Sequence, residues 1–281
     1  AKYVIMGELD LEQVKDMPFP LIVKPVDSAG SKGVTKVEDP KELRQAIEVA
    51  LESSISKNFI IEDFLEKEGF SVGSESFVVD GKLKYNGFYD QYFDNEAVNP
   101  YTPSAEVWPS VMKPEYQEEI KGELQRLIDL LCITTGLFNV ECRVCKNGKA
   151  YLMEVSPRAG GNRLAEMLNY AADVNINEAE TRKALGLSVG DIHEPNYRGH
   201  FAILVLHSEK EGIFDSVSIT DDFRKEHLIE EEIRVEKGEQ IESFKGANAA
   251  IGTLFLKFNT REELAHALEN QKDWLKINLR Q

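Results

Sequence analysis

Cysteine, histidine and tryptophan are scarce in this chain of 281 residues, which contains three Cys, five His and two Trp. Cys142 and Cys145 form a C-x-x-C pair, but no second pair and no histidine pair completes a set of zinc ligands. The histidines lack metal-ligand spacing, and no Ser or Cys has a convincing histidine partner for nucleophilic catalysis. The sequence therefore predicts ordinary core and surface thiols, and it argues against a zinc site or a covalent triad.

Long apolar runs and an excess of positive charge are also missing. No run approaches the ~18 residues of a membrane span, and no signal-peptide pattern is visible. The formal net charge of −16 repels phosphate backbones and anionic lipids, so neither nucleic acid nor membrane partners are expected. With 42% apolar residues the chain can bury a sizeable core. The expected location is the reducing cytoplasm.

The stretch PLIVKPVDSAGSKGV, residues 20–34, matches neither of the two common nucleotide-binding loops. A Walker loop places its lysine directly after a glycine, whereas Lys32 precedes Gly33 here. A dinucleotide-binding loop needs three glycines, and only Gly30 and Gly33 are present. A buried strand ending in Lys24 and a small glycine-rich loop with a second lysine remain to be explained.

Periodicity and turn signals predict an α+β chain with mainly antiparallel strand pairing. The proline-rich segment 94–113 is predicted as a loop. A helix over 39–52 is predicted to begin with a capping box between Asp39 and Glu42. The other predicted elements are strands at 20–24 and 58–65, a hairpin or meander at 70–93, an amphipathic helix at 115–135, and further strands from about residue 198.

Two further predicted strands, LFNVECRV and AYLMEVS, carry the strongest functional signal. Asn147-Gly148 between them favours a two-residue type I′ turn. That turn fixes which residues are directly opposed: Lys146 with Lys149, Arg143 with Leu152, Glu141 with Glu154, and Asn139 with Ser156.

Directly opposed glutamates have Cβ atoms roughly 5 Å apart, and their charges repel. Glu141 and Glu154 therefore either splay apart on a solvated face or share divalent cations. Mg²⁺ is typically held by one or two carboxylates together with phosphate oxygens, and Ser156 and Asn139 could add neutral oxygen ligands. Arg158 would supply a cation for a phosphoryl group or a carboxylate.

Four stretches in order, PLIVKPVDSAGSKGV, IIEDFL, FNVECRV and YLMEVSPRAGGN, resemble the ATP-grasp superfamily. The likeness is to its carboxylate–amine ligase branch, with biotin carboxylase and carbamoyl phosphate synthetase as relatives. It covers roughly residues 1–190, and residues 198–270 resemble the C-terminal lobe of that branch. The resemblance implies two α+β lobes with mainly antiparallel sheets, at 1–63 and 64–190, and a small C-terminal α+β lobe at 191–281.

The resemblance also implies roles for individual positions. The segment from Asp27 to Gly33 matches a flap that covers the β- and γ-phosphates, and residues 62–65 match the hinge that reads adenine. Glu141 and Glu154 match the pair that carries two Mg²⁺ ions. The implied site residues are Lys24, Ser28, Gly30, Ser31, Lys32, Gly33, Glu62, Asp63, Phe64, Leu65 and Glu68 for ATP; Glu141, Glu154 and Ser156 for metal; Gly160, Gly161 and Asn162 for substrate; and Arg158 for catalysis.

Three positions depart from the family pattern. Ser156 stands where the family usually has an asparagine metal ligand. Gly69 stands where the ribose-binding acid is expected, and Glu68 lies one place early. The chain also begins after the N-terminal lobe and the first ATP lysine of the family. The resemblance therefore implies that the full-length protein carries a lobe missing here.

The implied reaction is ATP-dependent joining of a small-molecule carboxylate and an amine through an acyl phosphate, with Mg²⁺, or alternatively Mn²⁺, as the metal. Two alternatives stay open: carbamoyl-phosphate-synthetase-like or carboxylase-like chemistry on bicarbonate, and a non-catalytic nucleotide-binding module. A homodimer is also left open. Substrate choice is expected to depend on segment 86–109, with Tyr89, Gln91, Tyr92, Tyr101 and Glu106, and on Asn162 and Arg163.

Overall fold

The computed structural model describes residues 1–28, 32–100 and 102–280. The chain divides into two compact units, Ala1–Glu66 and Lys67–Gln281, which are called the N-terminal unit and the C-terminal unit below. Every strand pairing that the structure defines is antiparallel, which confirms the predicted mixture of helices and mainly antiparallel sheets.

The N-terminal unit is a four-stranded sheet with a helix packed on it. Its elements are β1 (Tyr3–Met6), α1 (Leu11–Val14), β2 (Leu21–Pro25), β3 (Thr35–Val37), a 3₁₀ helix (Pro40–Glu42), α2 (Leu43–Ser53) and β4 (Phe59–Asp63). The strand order is β1-β4-β2-β3. Alternate residues of β2, Leu21 and Val23, are buried against α2, as the strand period of two requires. The predicted capping box of Asp39 and Glu42 is present.

The C-terminal unit contains an eight-stranded and a three-stranded sheet. Its elements are β5 (Lys67–Val79), β6 (Lys82–Phe93), β7 (Pro103–Trp108), α3 (Pro114–Leu130), β8 (Gly136–Cys145), β9 (Lys149–Ser156), α4 (Leu164–Ala172), α5 (Ile176–Ala184), β10 (His200–Leu206), β11 (Gly212–Ile219), α6 (Asp221–His227), β12 (Leu228–Ile233), β13 (Gln240–Ile241), a 3₁₀ helix (Ala247–Ala249), β14 (Gly252–Phe258), α7 (Arg261–Glu269), α8 (Gln271–Trp274) and β15 (Leu275–Arg280). The strand orders are β12-β14-β10-β7-β6-β5-β8-β9 and β13-β11-β15.

The prediction of a loop over 94–113 is wrong in part, because β7 lies within it. Its prolines do not interrupt the ladder: Pro103 is the first residue of the strand and Pro109 follows its last residue, positions where a missing amide is tolerated. Through β7, strands from both sides of the predicted 190/191 boundary join one sheet. The division at that boundary remains a prediction.

The two faces of the eight-stranded sheet carry different neighbours. On one face α3 packs Ile120, Leu124 and Ile128 against the sheet. On the other, α4 and α5 pack against a cluster that includes Tyr89 and Trp108. No helix among the described residues has the length and apolar character needed to cross a bilayer.

Candidate active site

Four glutamates lie on the face of the eight-stranded sheet that α4 covers. Residues paired directly across strands point to the same face. One row of pairs runs Glu154–Glu141–Gly73–Tyr89, from β9 through β8 and β5 to β6. The adjacent rows contain Ser156, Asn139, Glu75 and Gly87 on one side, and Gln91, Glu106 and Ile203 on the other. We call this surface, with Glu75, Glu106, Glu141 and Glu154, the carboxylate face.

The structure pairs Glu141 with Glu154 and Asn139 with Ser156, as the sequence predicts. The predicted two-residue turn is nevertheless wrong, because Cys145 pairs with Lys149 and Gly148 has a φ of 74°. Three residues therefore form the turn, and the register near it is shifted by one. As a result Arg143 pairs with Tyr151, and Leu152 pairs with Cys142.

A bulge in β9 restores the register before the two glutamates are reached. It lies between the Glu141 and Cys142 pairs and leaves Met153 without a partner in the ladder. The bulge also changes which side chains are buried. Leu152 is partly buried and packs against the core, whereas Met153 is 38% exposed.

The opposed glutamates retain contact with solvent but influence each other. Partial burial raises the pKa of Glu141, and the charge of Glu154 raises it further, while Arg143 and Arg158 oppose this rise. The Ser156 hydroxyl donates a hydrogen bond to Oε1 of Glu154 at 2.9 Å. The result is a set of hard oxygen donors whose repulsion a divalent cation would relieve.

The opposed glutamates and Ser156 are suited to Mg²⁺, and not to a metal ion whose ligands all come from the protein. Among the described residues, no group of three His, Cys, Asp or Glu side chains is arranged to hold a metal ion. Two carboxylates are what Mg²⁺ typically takes from a protein when phosphate oxygens and water complete its octahedron. Glu141, Glu154 and the Ser156 hydroxyl are the groups that would hold it.

Arg158 follows β9 and is exposed. Its Nη1 donates to the carbonyl oxygen of Ala159 at 2.8 Å. Its charge lowers the pKa of both Glu141 and Glu75. The predicted catalytic arginine therefore lies close enough to the carboxylate face to act on it electrostatically.

Glu75 is a central member of this face that the sequence analysis missed. Its side chain is fully buried. It accepts hydrogen bonds from Asn139 Nδ2 at 2.7 Å and from the amide of Gly160 at 3.0 Å. Burial raises its pKa to about 7, against the lowering effect of these bonds and of Arg158. One signal in the sequence could have predicted its burial: Glu75 lies in the middle of a strand between Val72 and Phe77, which are both buried.

Replacing Glu75 by Gln is expected to change how stability depends on pH. The unfolded chain releases this proton near the ordinary pKa of 4.5, whereas the folded chain keeps it up to about 7. Rising pH across this window should therefore destabilise the wild type by roughly 3 kcal/mol, and Glu75→Gln should lack this contribution. Denaturant unfolding of both proteins at pH 5 and pH 8 measures this difference. If both proteins lost the same free energy of unfolding between these pH values, Glu75 would not be a buried group with a raised pKa.

Residues 159–163, called the acceptor loop after the role that the resemblance implies for them, are held by carboxylates at several points. Gly160 is bound by Glu75. Asn162 Nδ2 donates to Oε1 of Glu106 at 2.9 Å. Arg163 forms ion pairs with Glu166 and Glu230, and its guanidinium lies 4.6 Å from the ring centroid of Phe255. Asn162 and Arg163 have φ values of 52° and 64°, a left-handed pair that is uncommon outside glycine.

Within the N-terminal unit, Lys24 and Glu62 form an ion pair at 2.7 Å. The pair arises because Glu62 is opposite Ile22, and Lys24 lies two residues further along the same face of β2. Both side chains keep about a quarter of their surface exposed.

The predicted adenine hinge continues from the end of β4. Asp63 Oδ2 accepts the amide of Lys2 at 2.7 Å, while its Oδ1 is buried without a hydrogen-bond partner among the described residues. The Phe64 amide donates to Pro20 O, and Lys36 Nζ lies 4.4 Å from the Phe64 ring centroid. Leu65 directly follows Phe64, and Glu68 is exposed in the C-terminal unit.

The predicted phosphate flap is described only at its ends. Asp27 accepts hydrogen bonds from the amides of Ser56 and Ile55 and from Ser54 Oγ. Hydrogen bonding, to Ser56 above all, lowers the pKa of Asp27 to about 2. Ser28 and Lys32 are exposed, and Gly33 has a φ of 75°. Gly30 and Ser31, and also Tyr101, lie outside the described residues.

Comparison with known proteins identifies the family. The ATP-grasp domain profile matches residues 17–166, which is more than half of the chain. The chain belongs to the ATP-grasp domain family. Among curated proteins it is 26% identical over 206 residues to the C-terminal section of the carbamoyl phosphate synthase large chain of Aquifex aeolicus (strain VF5), covering 71% of this chain. The chain spans only 37% of that relative.

Solved structures show the same fold at low sequence identity. Phosphoribosylglycinamide synthetase from Anaerococcus prevotii is 18% identical with a TM-score of 0.76, over 99% of this chain and 70% of that one. L-amino acid ligase from Bacillus licheniformis is 18% identical with a TM-score of 0.74, over 99% and 68%. The biotin carboxylase domain of Hydrogenobacter thermophilus 2-oxoglutarate carboxylase is 15% identical with a TM-score of 0.75, over 95% and 59%.

Proposed function

We propose that this ATP-grasp protein is an ATP-dependent carboxylate–amine ligase. In the proposed reaction a carboxylate oxygen attacks the γ-phosphorus of ATP, ADP leaves, and an acyl phosphate forms. An amine then attacks the acyl carbon, the C–N bond forms, and phosphate leaves. The ammonium group loses one proton to become the attacking amine, and the nitrogen loses a second proton after the C–N bond has formed. Such chemistry depends on positioning and charge neutralisation rather than on a protein nucleophile.

The opposed pair of Glu141 and Glu154 carries this proposal. Two directly opposed carboxylates repel each other, and the pKa of Glu141 is raised by partial burial first and by the charge of Glu154 second. Bound Mg²⁺ would neutralise the phosphates and the transferring group. Arg158, exposed beside the pair, is suited to contact the acyl phosphate oxygens.

Further residues are assigned to the nucleotide under the same proposal. Lys24, the flap from Ser28 to Gly33, hinge residues 62–65 and Glu68 would bind ATP. Gly160, Gly161 and Asn162 would border the acceptor substrate. The proposal includes a division of the chain into lobes at 1–63, 64–190 and 191–281. It also includes a cytoplasmic location, which suits the three free cysteines.

Phosphate release from ATP tests the proposal with the full-length protein. The screen pairs carboxylic acids with amines, including amino acids, and runs bicarbonate separately. Hydroxylamine replaces the amine in parallel, because it converts an acyl phosphate into a stable hydroxamate. ATP-dependent hydroxamate formation is the expected result.

Other outcomes would favour the other candidates. The second candidate is carbamoyl- or carboxy-phosphate chemistry, which the likeness to carbamoyl phosphate synthase supports. Phosphate release with bicarbonate alone would favour it. No turnover would favour a nucleotide-binding module.

Lys24→Met is expected to weaken binding of Mg-ATP about 10- to 100-fold, since a hydrogen bond to a charged group contributes about 1.5–3 kcal/mol. Stability should change little, because the pair with Glu62 is partly exposed. Isothermal titration of both proteins with Mg-ATP measures the loss. Lys41→Met, at an exposed lysine of the same unit, is the control. Unchanged affinity in Lys24→Met would remove this lysine from the nucleotide site.

A further inference from the structure

Arg163, the last residue of the acceptor loop, is surrounded by carboxylates. Its Nε donates to Oε2 of Glu166 at 2.9 Å, and its Nη2 donates to the same oxygen and to Oε1 of Glu230 at 2.6 Å. Its Nη1 lies 3.6 Å from Oε2 of Glu232. The hydrogen bond to Glu166 and then that to Glu230 raise the pKa of Arg163, so the guanidinium is charged at neutral pH.

These contacts direct the guanidinium of Arg163 away from the reacting centre. One face of it lies 4.6 Å from the ring centroid of Phe255 on β14. Four strands lie between β14 and β8, the strand that carries Glu141. Five strand spacings of about 4.8 Å make about 24 Å along the sheet. Arg163 therefore acts on the reaction through the position of the loop and not by touching the reacting atoms.

The acceptor loop crosses the eight-stranded sheet and is held at three points. Each point joins one residue of the loop to one glutamate of the sheet: Gly160 to Glu75 on β5, Asn162 to Glu106 on β7, and Arg163 to Glu230 on β12. The order of these strands across the sheet is the order of the residues along the loop. Arg163 thus holds the end of the loop that is remote from the metal pair.

The backbone at this end of the loop needs such a contact. Asn162 and Arg163 have φ values of 52° and 64°, a conformation that costs energy in a non-glycine residue and persists only where the surroundings enforce it. Without the contact to Glu230, both residues can relax towards the favoured regions of φ and ψ. That relaxation moves Gly161 and Asn162, which are proposed to border the acceptor substrate.

We propose that Arg163 is a positioning residue that fixes the acceptor loop for the incoming amine by binding Glu230. This inference rests on the proposed ligase function and deepens it, because it separates two steps of that reaction. Arg158 and the metal pair precede the Gly160 contact in the chain, so loosening the Arg163 end leaves them in place. The Arg163–Glu230 contact therefore controls use of the amine and not formation of the acyl phosphate.

Hydrogen exchange resolved to single amides tests the positioning without any substrate. The amides of Gly160 and Leu164 are hydrogen-bonded in the folded loop, so their exchange reports its conformation. In the full-length protein, Arg163→Met and Glu230→Gln should each speed exchange at both amides at least 10-fold and leave the amides of 168–172 in α4 unchanged. Unchanged exchange in the loop would refute the proposal. Faster exchange throughout α4 would also refute it, because the contact would then only stabilise the helix.

Steady-state kinetics test the separation of the two steps. The full-length protein is assayed with the carboxylate and the amine that give most product in the screen. Arg163→Met should raise the KM of the amine at least 10-fold, whereas the hydroxamate rate at saturating hydroxylamine and the KM of ATP should change less than twofold. Glu230→Gln should behave in the same way. The double variant should be no worse than either single variant, because both substitutions break one contact.

Arg198→Met is the matched control for loss of an arginine ion pair. Arg198 pairs with Asp173 at 2.7 Å at the other end of α4, and Asp173 also has a left-handed φ of 59°. Both of these side chains are about two-thirds exposed, so this variant should keep the wild-type KM for the amine. Penalties that multiply in the double variant would refute action through one contact. Equal losses in the amine and hydroxamate reactions would refute positioning of the acceptor.

The two measurements distinguish this failure from failure of the ligase proposal. If no carboxylate yields an ATP-dependent hydroxamate, the ligase proposal is wrong, and the exchange rates still decide whether Arg163 holds the loop. If hydroxamate forms and Arg163→Met leaves the KM of the amine unchanged, the ligase proposal stands and the role of Arg163 is refuted.

Discussion

Glu154→Gln is expected to abolish ATP turnover while leaving the fold as stable as the wild type or slightly more so. A metal ion contributes several kcal/mol of charge stabilisation to such a transition state, so losing one carboxylate ligand should lower kcat more than about a hundredfold. The amide oxygen of Gln can still accept the hydrogen bond from Ser156. Removing the negative charge relieves the repulsion with Glu141, which is worth about 0.2–1 kcal/mol.

The comparison needs both activity and unfolding, with and without Mg²⁺. Without Mg²⁺ the variant should unfold at the same temperature as the wild type or slightly higher at pH 7. Added Mg-ADP should stabilise the wild type more than the variant, because ligand binding to the native state raises its stability. Glu48→Gln, at an exposed glutamate of α2, controls for the change in net charge. A clear loss of metal-free stability combined with retained turnover would refute the metal-pair assignment.

The register of the β8–β9 hairpin shows how far the sequence can predict this site. The pairing of Glu141 with Glu154 is correct, although it was derived from a turn of the wrong length. The extra turn residue and the bulged Met153 offset each other, because each shifts the register by one. Turn length and bulges depend on packing across the sheet, which sequence periodicity does not report.

The buried carboxylates illustrate a different limit. Glu75 lies in a segment correctly predicted as strands, yet its burial follows from α4 and the acceptor loop covering that face. The Lys24–Glu62 pair likewise requires β4 to lie beside β2, a long-range pairing. Patterns within a strand predict which residues share a face; they do not predict what covers the face.

Gly160→Ala should produce the second large effect, because this glycine lies where three groups meet. An added Cβ would lie 2.4 Å from Leu164 Cδ1, and 2.7 Å from both Asn139 Nδ2 and Glu75 Oε1. Leu164 and Glu75 are buried and Asn139 is tied to Glu75, so none can withdraw freely. Such overpacking typically costs about 1–3 kcal/mol, and here it also moves the loop that is proposed to border the acceptor.

The neighbouring glycine provides a matched control for folding. A Cβ at Gly161 meets no atom within 4 Å, so Gly161→Ala should unfold at nearly the wild-type temperature, whereas Gly160→Ala should unfold several degrees lower. In assays below its unfolding temperature, Gly160→Ala should lose amine-dependent product formation more than the hydroxamate reaction, since small hydroxylamine needs no ordered acceptor site. Equal unfolding temperatures for the two variants would show that the loop does not pack against Glu75. Equal losses in both reactions would show that it does not border the acceptor.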